Sequence, residues 1–198
     1  YLPERTVKPR NAGINMIMDK GLSVKEVEHF ISASEHLVDF VKLGFGTSIV
    51  SKNLDTKIKM YKQADIKPYF GGTLFEVFFV RKKLDDFKRY LEKYQMNTLE
   101  VSDGEAQIPH DEKCRIINDF AKDYTVLSEV GSKEADVVIP DERWVEMIKR
   151  ELQAGSWKVI TEAREGGNIG IYNKDGSANI DLINTIKKEI NIDNILWE

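Results

Sequence analysis

The chain has 198 residues, of which 41% are hydrophobic and 31% are charged, and its formal net charge is −4. These values suit a single soluble globular domain with a substantial core, which we assign to residues 1–198. The mild acidic charge argues against a nucleic-acid surface, no apolar run approaches the ~20 residues that span a bilayer, and the single cysteine forms no internal disulfide, so we expect a cytoplasmic protein.

Six apolar runs, each ending in an acidic, basic or glycine-rich cluster, predict six strands. In chain order these runs are MIMDKG (16–21), VDFVKLGFGTS (38–48), KPYFGGTLFE (67–76), TLEVSDG (98–104), VLSEVGSK (126–133) and VITEARE (159–165). A seventh run, NILWE, covers residues 194–198. Helical patterns separate the runs, and the first of them begins at a capping box formed by Ser23 and Glu26.

Strand and helix alternate without a hairpin signal, which is typical of parallel β-α-β units. An open doubly wound sheet and a closed barrel both satisfy this alternation. An open sheet gathers its ligands at one crevice, whereas nearly every strand end here carries charged residues or glycines, so we favour the (β/α)8 TIM barrel. Because only seven strand signals are present, we expect the barrel to be incomplete after strand 7.

Carboxylates interrupt strand ends that should otherwise be apolar. Glu129 in LSEVG and Glu162 in ITEAR follow hydrophobic residues, and Asp103 lies just past the fourth strand. A buried carboxylate is costly unless it is paired or binds a metal, and carboxylates from neighbouring strands commonly hold Mg²⁺. We therefore predict a Mg²⁺ site at these residues, with structural salt bridges to nearby Lys or Arg as the alternative.

Cations also recur at the strand ends. Four of them lie at or just after a predicted strand: Lys20, Lys42, Lys133 and Arg164. Each alone is commonly a solvated rim residue, but together at one barrel mouth they would form a strong anion site. The glycines of GFGTS and FGGT, among them Gly72, would let backbone amides approach an anionic oxygen.

The segment GGNIGIYNKDGSA, residues 166–178, is the only glycine-rich loop. It follows the predicted strand end that contains Glu162. Two interpretations stay open: a mobile connection between strand and helix, or a loop that covers the barrel mouth or holds a phosphate.

Taken together, the strand-end phrases resemble the phosphosulfolactate synthase family. The resemblance runs from PERTVKPR through MIMDKG, DFVKLGFGTS, FGGTLFE, EVSDG, LSEVGSK and ITEARE to ILWE, and it covers nearly the whole chain. Members of that family are β/α barrels related to plant heat-stress-associated proteins. Seven phrases in one order are far more specific than any single motif of this sequence.

This resemblance implies an enzyme of the carbon–sulfur lyase class that adds sulfite to phosphoenolpyruvate, giving (2R)-2-phospho-3-sulfolactate, a step that opens coenzyme M biosynthesis in methanogens. It implies that Glu129 and Glu162, with Asp103, hold Mg²⁺, and that Lys133 is the general acid. The residues implied to bind the two anionic substrates are Lys20, Lys42, Arg164, Gly72 and Ser102. Related barrels self-associate, so we expect a homo-oligomer whose other partners are small molecules.

Two other functions stay open. One is another Mg²⁺-dependent barrel enzyme that acts on a phosphorylated enol or keto acid. The other is a non-catalytic barrel of the heat-stress-associated type. The charged strand ends argue against the non-catalytic protein, because an abandoned site has no reason to keep buried charge.

Overall fold

The residues that the structure describes contain seven strands and seven α-helices. The structure is a computed structural model. It describes residues 4, 6–131, 139–163 and 167–198. Two of the predicted site residues, Lys133 and Arg164, therefore lie outside the described residues. The chain divides into two compact units, Tyr1–Leu99 and Glu100–Glu198, with the boundary inside the fourth strand.

The strands of the first unit are parallel and lie side by side in chain order. Their bounds are Met16–Asp19 (β1), Phe40–Leu43 (β2), Lys67–Phe70 (β3) and Thr98–Val101 (β4). Met16 pairs with Phe40, Phe40 with Lys67, and Phe70 with Leu99. Because β1, β2 and β3 end in register, the residues that follow them lie at one edge of the sheet.

Four helices complete the first unit. They are Val24–Ser34 (α1), Leu54–Gln63 (α2), Gly72–Val80 (α3) and Leu84–Lys93 (α4). The predicted capping box at the start of α1 is confirmed: the Glu26 amide donates to Ser23 Oγ, and the Ser23 amide donates to Glu26 Oε2. Val27 of α1 packs with Val41 of β2 and Tyr61 of α2 in a buried apolar cluster.

The second unit contains three further parallel strands, Thr125–Val130 (β5), Lys158–Thr161 (β6) and Ile195–Trp197 (β7). Val130 pairs with Thr161, and Thr161 pairs with Trp197. The three strands therefore end side by side, and the side chains just beyond them meet at one edge of this sheet.

The helices of the second unit are His110–Phe120 (α5), Asp141–Ala154 (α6) and Ile180–Glu189 (α7). Pro140 immediately precedes α6, and Gly155 ends it with a φ of 114°, positions at which proline and glycine are common. Trp144 and Ile148 of α6 pack against Val159 of β6 in the apolar core of this unit.

The strands follow one another in chain order, with one or two helices between successive strands, which is a TIM-barrel-like α/β fold. The predicted fold class, a β/α barrel with seven strands present, is confirmed. The assignment of residues 1–198 to one domain stays a prediction. No helix among the described residues is long and apolar enough to cross a membrane.

Candidate active site

Three glutamates meet at the ends of β5, β6 and β7. Glu129 lies within β5, Glu162 directly follows β6, and Glu198 directly follows β7. Among the described residues, each of the three offers a carboxylate oxygen, and these oxygens lie within 4.8 Å of one another. Glu129 and Glu162 are each only 3% exposed. We call Glu129, Glu162 and Glu198 the glutamate cluster.

The strand register explains why these side chains meet. Val130 and Thr161 are paired neighbours, so the last residues of β5 and the first residue after β6 lie at the same height on the sheet. The Glu162 amide also donates to the Val130 carbonyl at 2.9 Å, which extends the ladder one residue past β6. The pairing of Thr161 with Trp197 brings Glu198 to the same edge.

The glutamate cluster has the chemistry of a site for a hard divalent cation. Mg²⁺ binds oxygens at about 2.1 Å, so two oxygens on opposite sides of one ion are about 4.2 Å apart. The observed limit of 4.8 Å is slightly above that spacing, so the three oxygens are near one another but would move a little closer around the ion. Two of the three carboxylates, those of Glu129 and Glu162, are buried, and a bound cation would offset the repulsion between converging like charges. The residues therefore fit the predicted Mg²⁺, which stays a proposal.

Asp103, the third predicted ligand, takes part in a different interaction. Its Oδ1 lies 2.8 Å from Lys113 Nζ, and Lys113 is only 1% exposed. The same ammonium donates to the Glu129 carbonyl at 2.5 Å and lies 2.8 Å from Glu151 Oε1. His110 Nε2 approaches that carboxylate at 3.2 Å. We call Asp103, His110, Lys113 and Glu151 the Lys113 network.

Ionisation in the Lys113 network follows from its pairing. Burial alone would lower the pKa of Lys113, but the Glu151 and Asp103 carboxylates raise it above its usual value. Burial alone would raise the pKa of Glu151, yet Lys113 and hydrogen bonds from neighbouring side chains bring it below the usual value. Burial raises the pKa of Asp103, and Lys113 only partly opposes that effect. Lys113 and Glu151 are thus a charged pair beside the Glu129 backbone.

The predicted substrate-binding residue of the second unit, Ser102, follows β4 and is fully buried. The other residues predicted to bind substrate that the structure describes belong to the first unit. Lys20 follows β1 and is exposed, with its ammonium 5.8 Å from the centre of the Phe45 ring. Lys42 is buried within β2, and Gly72 is buried at the start of α3.

Gly71 makes room for the Lys42 side chain. A methyl group placed on Gly71 would lie 3.1 Å from Lys42 Cε and 3.2 Å from Lys42 Cγ. The glycine in FGGT therefore lets a neighbouring lysine lie across the end of β3. This packing role differs from the predicted approach of backbone amides to an anion, which stays a prediction.

The first unit also contains a buried carboxylate whose surroundings the sequence did not predict. Asp19 Oδ1 accepts from the amides of Gly21 and Leu22, each at 2.8 Å. Its Oδ2 accepts from Tyr61 Oη at 2.9 Å and lies 2.7 Å from Lys57 Nζ. Four donors fill the acceptor sites of this carboxylate, so Asp19 joins the loop after β1 to α2.

The structure thus brings together two predicted ligands, Glu129 and Glu162, within the second unit. Glu198 was missed, although ILWE ends in an acid directly after an apolar strand, as VITE does. Lys113 and Glu151 were missed because each is a charged residue within a helical pattern. Lys133 and Arg164 lie outside the described residues, so their roles stay predictions.

Comparison with known proteins places this site in context. Residues 3–198 match the family described as (2R)-phospho-3-sulfolactate synthase (ComA). The phosphosulfolactate synthase of Bacillus subtilis is 38% identical over 200 residues, which cover 100% of this chain and 79% of that protein. The phosphosulfolactate synthase of Methanothermobacter thermautotrophicus is 38% identical over 204 residues, covering 99% of this chain and 78% of that protein.

A third relative and a solved structure add to this comparison. The phosphosulfolactate synthase of Methanocaldococcus jannaschii is 37% identical over 194 residues, covering 94% of this chain and 76% of that protein. The crystal structure of 3-hexulose-6-phosphate synthase from Salmonella typhimurium matches with a TM-score of 0.56, covering 92% of this chain and 77% of that one. Its sequence is 12% identical, so the likeness concerns the fold alone.

Proposed function

This chain belongs to the (2R)-phospho-3-sulfolactate synthase family, as its sequence predicts, and on that premise we propose that it joins sulfite to phosphoenolpyruvate to form (2R)-2-phospho-3-sulfolactate. We also propose that the reaction depends on Mg²⁺ and is of the carbon–sulfur lyase class. The site observation that supports the proposal is the convergence of Glu129, Glu162 and Glu198 at three neighbouring strand ends.

The reaction joins two anions that repel each other. The sulfur lone pair of sulfite forms a bond to the methylene carbon C3 of phosphoenolpyruvate, and the C2–C3 π electrons move toward the substrate carboxylate. A proton added at C2 then completes the product, so no oxidant or leaving group is needed. Mg²⁺ held in the glutamate cluster would stabilise the negative charge that develops on the substrate carboxylate.

The glutamate cluster supplies the ligands in this proposal. Glu129 and Glu162 would each provide one oxygen, as predicted. The Asp103 carboxylate is engaged with Lys113, so we assign the third position to Glu198. The Lys113 network would hold the backbone of Glu129 in place, because the buried ammonium donates directly to its carbonyl.

The remaining roles are assigned to cations and small residues. Lys133 would be the general acid that protonates C2. Arg164 suits a bidentate contact with phosphate, carboxylate or sulfite. The other proposed substrate-binding residues are Lys20, Lys42, Gly72 and Ser102. Cytoplasmic location, self-association and a place in coenzyme M biosynthesis stay predictions.

The proposal is tested by measuring phosphoenolpyruvate consumption with and without sulfite and Mg²⁺, and by identifying the product with ³¹P NMR. We expect consumption only when all three are present. Glu162→Gln should abolish it, whereas Glu142→Gln, which changes an exposed acid at the start of α6, should not. Consumption without sulfite would indicate another enzyme of phosphorylated enols, and absence of phosphoenolpyruvate binding would indicate a non-catalytic protein.

A further inference from the structure

The backbone of Glu162 is held from two sides. Its amide donates to the Val130 carbonyl at 2.9 Å, and its carbonyl accepts from the Ile171 amide at 3.2 Å. The first bond joins Glu162 to β5, and the second joins it to the glycine-rich segment that precedes α7. The backbone position of this ligand therefore depends on two neighbouring segments of the second unit.

Gly131, the residue after β5, leaves the space in which the Glu162 side chain begins. A methyl group placed on Gly131 would lie 2.5 Å from Glu162 Cβ and 2.8 Å from Trp144 Cη2. Carbon atoms do not approach so closely, so any side chain at this position would displace Glu162 or Trp144. The φ of Gly131 is 137°, which also favours glycine.

Gly170 provides the second close contact. A methyl group on Gly170 would lie 1.7 Å from the Glu162 carbonyl oxygen and 2.7 Å from its carbonyl carbon. The φ of Gly170 is 69°. The loop that contains it is closed by hydrogen bonds: the Asn173 amide donates to the Ser177 carbonyl at 2.8 Å, and the Asn179 amide donates to the Ile171 carbonyl at 2.9 Å.

From these contacts we propose that Gly131 and Gly170 are positioning residues that together fix Glu162 in the glutamate cluster. The inference rests on the cation site of the proposed function. It also assigns a role to the glycine-rich segment: its described part, residues 167–178, packs against the backbone of Glu162 and holds this proposed metal ligand in place. This role differs from both the mobile connection and the phosphate loop that the sequence left open.

The physical reason is the narrow geometry that Mg²⁺ requires. This ion demands a near-ideal octahedron with short bonds, so a small displacement of one carboxylate weakens binding. Residues that orient metal ligands without touching the metal typically change its affinity by about 10–100-fold when replaced. Gly131 acts on the side chain of Glu162, and Gly170 acts on its backbone.

Two matched pairs of variants test the proposal. Gly131→Ala is compared with Gly155→Ala, since Gly155 also has a positive φ of 114° and its added methyl would meet Ala121 Cβ at 2.8 Å. Gly170→Ala is compared with Gly176→Ala, which lies in the same loop with a φ of 83° but has no contact with Glu162 in its surroundings. The two glycines of each pair both have a positive φ, so an alanine strains the backbone at either one. Only the alanine at Gly131 or Gly170 would also collide with Glu162.

The measurements are the Kd for Mg²⁺ by titration calorimetry, without substrate, and the thermal unfolding midpoint. All four variants should unfold at lower temperature than the wild type, but only Gly131→Ala and Gly170→Ala should raise the Kd, by about 10–100-fold. Gly155→Ala and Gly176→Ala should keep a Kd within about twofold of the wild type, because neither added methyl group would contact Glu162.

The outcomes separate this inference from the proposed function. A wild-type protein that binds no Mg²⁺ overturns the cation site itself. Normal Mg²⁺ binding by the wild type together with an unchanged Kd in Gly131→Ala overturns only the positioning role. An equal rise in Kd in Gly155→Ala would also overturn it, by showing general destabilisation. If Gly170→Ala does not fold, the comparison of Gly131→Ala with Gly155→Ala decides.

Discussion

The Asp19 carboxylate of the first unit and the glutamate cluster of the second unit both lie at the carboxyl ends of parallel strands. Asp19, Glu129 and Glu162 are buried, and Glu198 is half-buried. Asp19 accepts from two backbone amides and from Tyr61, and it pairs with Lys57. In the glutamate cluster, by contrast, carboxylate oxygens of three residues converge within 4.8 Å. Hydrogen-bond donors and a lysine thus surround the Asp19 carboxylate, whereas in the glutamate cluster the carboxylates of three residues approach one another.

This difference shows that burial of an acid at a strand end does not by itself mark a catalytic residue. Asp19 has its acceptor capacity filled by the protein, so it has a structural role, and removal of one partner would leave its buried charge uncompensated. The glutamate cluster brings carboxylate oxygens of three residues within 4.8 Å of one another, an arrangement that favours the binding of a cation. The two centres should therefore respond differently to substitution and to Mg²⁺.

The largest expected effect is on the stability of the Asp19 centre. Lys57→Met removes the ammonium 2.7 Å from Asp19 and leaves the carboxylate without its positive partner. Breaking a buried ion pair in this way typically costs about 3–5 kcal/mol of unfolding free energy. Urea unfolding followed by circular dichroism measures the loss.

The control is Lys59→Met in the same helix, because Lys59 is exposed. It should change stability by less than about 0.5 kcal/mol. Equal losses in the two variants would contradict the assignment of Asp19 to a structural ion pair.

The next effect concerns Mg²⁺ and the glutamate cluster. A ligand that binds only the folded state, at a free concentration of 100 times its Kd, adds about 2.7 kcal/mol to the unfolding free energy. We expect Mg²⁺ to stabilise the wild type and Lys57→Met by this amount, and to stabilise Glu162→Gln far less. Thermal unfolding with and without Mg²⁺ measures the difference.

Retention of the full Mg²⁺ effect in Glu162→Gln would remove Glu162 from the proposed site. Loss of the Mg²⁺ effect in Lys57→Met would show that the Asp19 centre and the glutamate cluster are not independent, and the distinction drawn between them would then be wrong. Glu142 is an exposed acid of the second unit, so Mg²⁺ should stabilise Glu142→Gln as much as it stabilises the wild type.

The sequence predicted the fold well because its signals are local. Apolar runs alternate with helical patterns, and Ser23 and Glu26 form a capping box three residues apart. Each of these features depends on neighbours in the chain, so the structure reproduces them. Glu129 and Glu162 were predicted for a similar reason, since each interrupts an apolar strand end.

The surroundings of those acids could not be predicted, because they depend on contacts between distant segments. Asp19 and Glu129 look alike in sequence, and only the position of Lys57 and Tyr61 in space separates their roles. Lys113 and Glu151 are 38 residues apart by number, and no spacing rule places α5 beside α6 with these two side chains facing. The close packing of Gly131 on Glu162 is likewise visible only in three dimensions.

The smallest expected effect is the loss of unfolding free energy when the hydrogen bond from Tyr61 to Asp19 is removed. Tyr61→Phe removes the hydroxyl that donates to Asp19 Oδ2 at 2.9 Å. A hydrogen bond to a charged acceptor contributes about 2 kcal/mol, so the variant should lose about that much unfolding free energy at pH 7. In an Asp19→Asn background the same substitution should cost less, because the acceptor there is neutral.

The structure also predicts how the loss of unfolding free energy in Tyr61→Phe changes with pH. Burial, and then the Asp19 charge, raise the pKa of Tyr61 above its ordinary value. The stability that the protonated hydroxyl contributes is therefore complete below about pH 10, where unfolded tyrosine is also protonated, and it is lost as the pH rises further. The gap between wild type and Tyr61→Phe should be constant from about pH 6 to 9 and should narrow above about pH 10. A gap that stayed constant or widened above about pH 10 would mean that the folded protein does not raise the pKa of Tyr61.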